Sequence, residues 1–391
     1  MQINLKKLSL IPFSIAIILI VQASMTLSVM DNLQMLSYGI LGLTIVGFLV
    51  LLFLYLREKE VYRLDMVLFF YYLLLLVFTI LNGTDIKNAV YRTIEATLLI
   101  MLLHYFRHRL PLLIQAFAVG FSIAVYCNAV NMALHPEWLF TKEIDGFLLG
   151  VNYNQMGCRL ICAVITNILC LRINKWWIIN VIFLTIIAIA TLLLVNSMTS
   201  FSCLTLFVLL CFVPSVQLKK IFAIGIFAFV LLFEFVVVFS GESLANNELA
   251  VYIIVDVLGK DITFTLRTEL WDAGMKLFAE SPFIGYGLVD NEWYRTHMVA
   301  RAIGPHNMIL GIMINGGLTL LTLMGMYITV AVKNSYKQID NMLATLLMGI
   351  GFCFMMMTME VYPSFFLFYL FALVYYYPQL QGIIDSKKSK K

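Results

Sequence analysis

Apolar runs about as long as a bilayer is thick recur along most of this chain, and they leave few folds open. A helix needs about 20 apolar residues to cross the hydrocarbon core. Lipid offers no partner for backbone N–H and C=O groups, so a run that crosses it must bond its backbone internally, as a helix does. Twelve runs are candidate spans: Leu8–Leu27, Met35–Leu56, Leu64–Leu81, Val90–Phe106, Leu110–Met132, Gly146–Leu171, Trp176–Val195, Phe201–Val216, Ile221–Ser240, His306–Val332, Met342–Val361 and Pro363–Tyr377. The fourth, eighth and twelfth are short. Only 12% of residues are charged and 62% are hydrophobic, against about 25% charged in globular domains. The chain therefore reads as an all-α polytopic membrane protein with about twelve transmembrane helices, and a soluble fold is excluded.

One polar stretch, Gly241–Pro305, interrupts the apolar pattern. The expected organisation is a membrane domain of about nine spans (1–240), an outward-facing loop with short amphipathic helices (241–305), a membrane domain of about three spans (306–380) and a basic tail (381–391). Orientation follows from Lys and Arg near span ends, which collect on the cytoplasmic side. With the N-terminus inside, the cytoplasmic segments hold Lys6, Lys7, Arg57, Lys59, Arg63, Arg107, Arg109, Arg172, Lys175, Lys219, Lys220, Lys333, Lys337, Lys387, Lys388, Lys390 and Lys391, 17 of the 26 basic residues. The others, Lys87, Arg92, Lys142, Arg159, Lys260, Arg267, Lys276, Arg295 and Arg301, fall on the outer side or near it within the membrane. Both termini are thus expected in the cytoplasm and the polar loop outside. The first run exceeds a normal signal-peptide core and is read as a retained helix.

Several chemistries drop out. The net charge of +4 is explained by topology and calls for no nucleic-acid partner, and the basic tail suits anionic lipid headgroups. All seven cysteines (Cys127, Cys158, Cys162, Cys170, Cys203, Cys211, Cys353) fall inside candidate spans without a CxxC pair, and the five histidines are scattered. Neither a disulfide framework nor a metal site is expected. With no phosphate-binding glycine loop, an ATP-driven pump is disfavoured and no cofactor is expected.

Within the polar loop, Leu266, Leu270, Gly274 and Leu277 or Phe278 recur at helical spacing before Ser281-Pro282 and the stops Gly285 and Gly287. The spacing predicts a short amphipathic helix over Thr265–Ala279. Arg267 and Trp271, four apart, share a face of it. A guanidinium beside an indole suits a phosphorylated sugar; it suits equally an interfacial helix whose Trp271 sits among lipid headgroups while Arg267 pairs with lipid phosphate.

Arg267-Thr-Glu-Leu-Trp271, then Ser281-Pro282-Phe-Ile-Gly285-Tyr-Gly287, then Pro305-His306-Asn307 opening a span with Gly316-Gly317, resembles the C-terminal signature of the O-antigen polymerase and O-antigen ligase superfamily. The match covers about 50 residues, Arg267 to Gly317. Upstream, Val151-Asn152-Tyr-Asn154-Gln-Met-Gly157 is similar to the family's Asn-rich turn. Asn196-Ser-Met-Thr-Ser200 is similar to its Ser-rich turn, with Met198 where many members have arginine.

The resemblance implies a GT-C-like glycosyltransferase membrane fold in the cytoplasmic (inner) membrane. It implies transfer from a polyprenyl-diphosphate-linked oligosaccharide donor to a lipid-linked acceptor at the outer face. Flippase and chain-length regulator proteins are the partners it brings, beside membrane lipid. Such chemistry needs cations for the diphosphate leaving group and a base for the acceptor hydroxyl. On this pattern Arg267 is the first choice for the diphosphate clamp. Arg295, Arg301 and the intramembrane Arg159 support it, and Trp271, Asn154 and Asn307 join the substrate-binding set. Arg159 has a structural alternative, a pair with Glu95 or Asp145. His306, expected at the water boundary, is the favoured acid/base or acceptor-orienting residue, since an imidazole can both take and give a proton. Glu360 is its rival, since a carboxylate better steadies positive charge at an anomeric carbon.

Polymerisation of repeat units into capsule, exopolysaccharide or O-antigen is preferred to ligase-type transfer, because nothing points to a lipid A core acceptor. Glu234, deep in the ninth run, is the best feature for another class, a proton-coupled transporter or lipid-linked oligosaccharide flippase. A non-enzymatic membrane scaffold is the third possibility.

Overall fold

A computed structural model describes residues 34–58, 62–136, 156–240, 248–252, 267–360 and 365–389. The first candidate span, the turn with Asn152 and Asn154, and most of 241–266 lie outside the described residues. All regular elements described are helical: α1 (Gln34–Glu58), α2 (Arg63–Asn82), α3 (Ile86–Tyr105), α4 (Leu110–Leu134), α5 (Met156–Cys170), α6 (Trp177–Leu194), α7 (Met198–Cys211), α8 (Val216–Phe233), α9 (Glu248–Val251), α10 (Arg267–Glu280), α11 (Asn291–His297), α12 (Met308–Ser335), α13 (Asn341–Met357) and α14 (Phe365–Lys388). A π-helical turn, Glu234–Val238, continues α8.

Among the described residues, six helices are long and apolar enough to cross a membrane, and four shorter apolar ones, Gly42–Arg57, Met156–Cys170, Met198–Cys211 and Asn341–Met357, pack among them. Helix α5 is buried on nearly every side, as is the first half of α14, so these two form the middle of the bundle. Helices α1, α6 and α8 instead expose rows of large apolar residues such as Phe53, Phe183 and Ile224. A helix apolar all round belongs in a core or in lipid, and the bundle contains both kinds. Helix α3 also packs against α1, α2 and α14, although Lys87, Arg92 and Glu95 lie in its first half.

Polar clamps tie one end of the bundle. Arg172 bonds Asp340 (3.2 Å) and Gln381 (3.0 Å), and Tyr377 donates to Asp340 at 2.7 Å. Lys219 spends its three N–H donors on the Cys211 carbonyl, Asn341 and Thr345.

The other end is organised by a break in α12. Gly316 (φ −153°, ψ 17°) and Gly317 (φ 59°, ψ −156°) interrupt the helix, so the amides of Leu318 and Thr319 cannot reach the carbonyls of Ile314 and Asn315. The chain between α10 and α11 replaces both lost bonds. Its Tyr286 and Gly287 amides donate to Ile314 (2.9 Å) and Asn315 (2.8 Å), while its Pro282 and Phe283 carbonyls accept from Leu318 (2.8 Å) and Thr319 (3.3 Å). Buried backbone groups must be paired, and this exchange pairs all four.

The contact is so close that side chains do not fit. A Cβ on Gly285 would stand 2.4 Å from the Ile314 oxygen, and one on Gly317 2.4 Å from the Phe283 carbonyl carbon. Gly285 and Gly287, expected as helix stops, are therefore contact glycines in left-handed conformations. Thr79 and Thr84 complete the anchorage, Thr79 accepting from the Leu288 amide at 2.8 Å and Thr84 donating to the Tyr286 carbonyl at 3.0 Å. At its other side Tyr286 donates to the Leu277 carbonyl and to Glu280, each at 3.1 Å. Burial and the Glu280 carboxylate push the Tyr286 hydroxyl up to about 12, which keeps it a donor at neutral pH.

Gly317→Ala adds a Cβ to a left-handed residue and drives it into this strand of loop. The expected cost is roughly 1–3 kcal/mol from backbone strain alone, read as a lower unfolding temperature of the detergent-purified protein. Gly325→Ala, in the same helix with nothing within 4 Å of the new methyl, is expected to leave that temperature unchanged.

Candidate functional site

Asn307 opens α12 with extended backbone, and its side-chain oxygen accepts from the Leu310 amide at 2.8 Å as an N-cap. Its amino group donates to both carboxylate oxygens of Glu234 (2.8 and 3.1 Å) and to the Thr358 carbonyl (3.1 Å). Three elements therefore meet on one amide: the π turn after α8, the start of α12 and the end of α13. The π turn carries a bond from the Phe239 amide to the Glu234 carbonyl (2.9 Å).

One residue earlier, His306 has a φ of 46°. Left-handed backbone is uncommon outside glycine, though histidine is among the enriched exceptions. This turn brings the imidazole to Glu360, just past α13, with Nδ1 at 3.1 Å from each carboxylate oxygen. The carboxylate accepts, so Nδ1 carries the hydrogen and Nε2 remains the basic nitrogen. The His306 side chain keeps 19% of its exposure and Glu360 only 7%, so the imidazole is the more accessible member. Sequence reasoning set the two as rivals; the structure makes them partners.

The remaining candidates are distributed as follows. Arg267 is half-buried at the first position of α10, adding its charge to the positive end of that helix. Arg301 pairs with Glu269 of α10, and both side chains are a little under half exposed; such a pair is worth about 0–1 kcal/mol. Arg295 is exposed on α11, where Trp293 and His297 stack at 4.2 Å. Arg159 is buried in α5 with its guanidinium 5.9 Å from the Phe366 ring centre. Glu95, bonded to Arg92 at 3.4 Å, lies within electrostatic range of it.

Two expectations are corrected. Trp271 is completely buried, with its indole edge-on to Phe233 at 6.1 Å, and offers no face to a sugar. The cause is Gly274, three residues on, which lets α10 lie against Leu310 and Ile314 so closely that a Cβ there would be 2.8 Å from Leu310 Cδ2. Trp271 thus belongs to the apolar stripe with Leu270, Gly274 and Leu277, all buried. Asn307 is likewise fully buried, with both ends of its amide engaged in hydrogen bonds. Asn154 lies outside the described residues.

Two features were not anticipated from sequence. Glu234 and Asn307 meet across 73 positions; the signal was a lone carboxylate in an apolar run, which needs a partner. Cys158, Cys162 and Cys353 also converge, with sulfur atoms within 4.8 Å of one another. Cys158 and Cys162 are one turn apart on α5, but nothing in their spacing announces Cys353 of α13. Such donors are of the type a soft metal ion takes, and free cysteines are also common small fillers of cores.

These elements define a polytopic helical membrane protein with an imidazole–carboxylate pair at one end of its bundle. Residues 182–325 match the family model described as O-antigen ligase. The matched segment contains Glu234, Arg267, His306, Asn307 and the Gly316-Gly317 break, whereas Arg159 and Glu360 lie outside it. No curated protein matches the chain.

Trp271→Phe retains a buried ring against Phe233 and is expected to support wild-type glycan synthesis, as a sugar-stacking indole would not allow. Trp271→Ala leaves a cavity costing about 3–5 kcal/mol and is expected to lower the amount of folded protein in membranes, measured by immunoblot. Loss of product in the Phe variant at full protein level would restore the platform role.

Proposed function

We propose that the protein is a surface polysaccharide polymerase that joins polyprenyl-diphosphate-linked oligosaccharide repeat units at the outer face of the cytoplasmic membrane. The observation that carries this reading is the His306–Glu360 pair at 3.1 Å, partly open to solvent beside a loop rich in arginine. Glu360 holds the Nδ1–H and stabilises the imidazolium as charge develops, as the carboxylate of a catalytic triad does. Nε2 takes the proton of the acceptor hydroxyl. The acceptor oxygen then bonds the anomeric carbon of the donor, the bond from that carbon to the diphosphate oxygen breaks, and polyprenyl diphosphate leaves with the electron pair. Arg267 holds the growing negative charge, with Arg295, Arg301 and Arg159 along the path of the diphosphate. Twelve spans with both termini inside complete this reading, and flippase and chain-length regulator proteins are its expected partners.

The description of the matched family as O-antigen ligase favours a second reading, transfer of a finished glycan to a different acceptor. The site chemistry is the same and the product differs. For the transporter alternative Glu234 offers one buried carboxyl group bonded to Asn307, and the matched family model adds no support to it.

Supplied with purified lipid-linked repeat units, the wild-type protein is expected to give a ladder of extended chains. His306→Ala is expected to stop at single units, a loss of roughly 10²-fold or more, as for removal of a general base. Glu360→Gln, which keeps the shape but not the charge, is expected to slow extension less. Single transfers without a ladder in the wild-type protein point to the ligase, and full ladders from both variants remove the pair from the chemistry.

Orientation is tested separately. Cysteines at Asn291 and Gln338, both exposed, are expected to differ in intact cells, with a membrane-impermeant thiol reagent labelling only the first. The reverse pattern inverts the topology.

A further inference from the structure

We infer that Glu234 is a positioning residue for His306, acting through Asn307; this rests on the proposed role of His306. The carboxyl group is buried, and both of its oxygens accept from the Asn307 amino group. Holding a carboxylate in such a place costs several kcal/mol unless it is well bonded, and an apolar residue in α8 would avoid that cost.

What the carboxylate supplies is direction. The Thr358 carbonyl only accepts hydrogen bonds, and both Glu234 oxygens lie within bonding distance of the Asn307 amino group. Asn307 must turn its amino group toward both, which leaves its oxygen facing the Leu310 amide. The amide therefore has one orientation. That orientation fixes the first turn of α12 and ties it to the end of α13, two residues before Glu360. His306 is the link between these anchors. Its left-handed backbone is the kind of conformation that persists only where the surroundings over-determine it, and the Asn307 junction is the adjoining constraint. Glutamine at 234 offers an amino group as well as an oxygen, so it no longer dictates which way Asn307 turns.

The test uses full-length protein in lipid nanodiscs with Glu234→Gln, which is isosteric, and Glu234→Ala. Two quantities are read. One is chain extension from lipid-linked repeat units, separated into kcat and KM. The other is the rate at which diethylpyrocarbonate modifies His306, followed by peptide mass spectrometry with the exposed His297 as internal reference. Glu234→Gln is expected to lower kcat at least tenfold with KM within twofold of wild type. Its His306 modification is expected to rise at least threefold relative to His297, as the ring is released from Glu360. Glu234→Ala is expected to exceed Glu234→Gln in both.

His306 reactivity unchanged in both variants overturns the proposal, whatever happens to turnover. Raised reactivity with unchanged kcat also overturns it, since the constraint would then serve no chemistry. If wild-type protein itself extends no chains while His306 reactivity still rises in the variants, the positional link stands and the polymerase reading falls. If Glu234→Ala fails to fold, Glu234→Gln decides alone.

Discussion

The amide of Asn307 is where three membrane helices agree on a common position. Its four hydrogen-bonding contacts reach Glu234, Thr358 and Leu310, and the catalytic candidates are fastened directly to those contacts: His306 precedes Asn307, and Glu360 follows Thr358 by two residues. In water such a junction would be worth little, because each group would trade one hydrogen bond for another. Buried, each unpaired group would bear its full desolvation cost. The junction is therefore all-or-none, and a site built on it inherits that precision.

The broken helix α12 follows the same rule in backbone form. Non-helical backbone at membrane depth is tolerated only where protein satisfies it, and the loop carrying Pro282 to Gly287 does so bond for bond. A polar loop and a membrane helix become one unit as a result. The loop cannot move away without exposing two amides and two carbonyls, so α10 and its arginine are held against the same helix that begins with His306 and Asn307. Phe233 under Trp271 strengthens the link from below.

Much of this was legible in the sequence and some was not, for identifiable reasons. Apolar run length announced a helical membrane protein because lipid permits few alternatives. The motifs Arg267–Gly287 and Pro305–Gly317 marked the functional region, but their physical meaning was hidden: Gly285 and Gly287 look like helix stops until the break at Gly317 shows what they approach. Trp271 was misassigned because four-residue spacing reports which residues share a helix face, not whether that face meets water; the neighbouring Gly274 held that information. Glu234 drew notice only as an oddity, since partners 73 positions apart leave no local pattern. The His306–Glu360 pair was hidden because two residues 54 positions apart were weighed as competitors, while the fold places them within hydrogen-bond distance.

Pairing changes what each residue can do on the proposed reading. A lone imidazole at a membrane boundary can accept a proton, but the resulting cation is poorly solvated there and its ring is free to turn. A lone carboxylate would repel the diphosphate of the donor. Together, Glu360 fixes the ring and balances the cation, while the more accessible His306 stands between the carboxylate and the substrate. The other buried carboxyl group, Glu234, is engaged by Asn307. Arg267, Arg295 and Arg301 all lie on the polar loop, the side from which a water-exposed glycan would enter. On the proposed reading, carboxyl groups engaged by His306 and Asn307 together with cations on the loop suit a site whose leaving group is anionic and whose base must first lose, then regain, a neutral state.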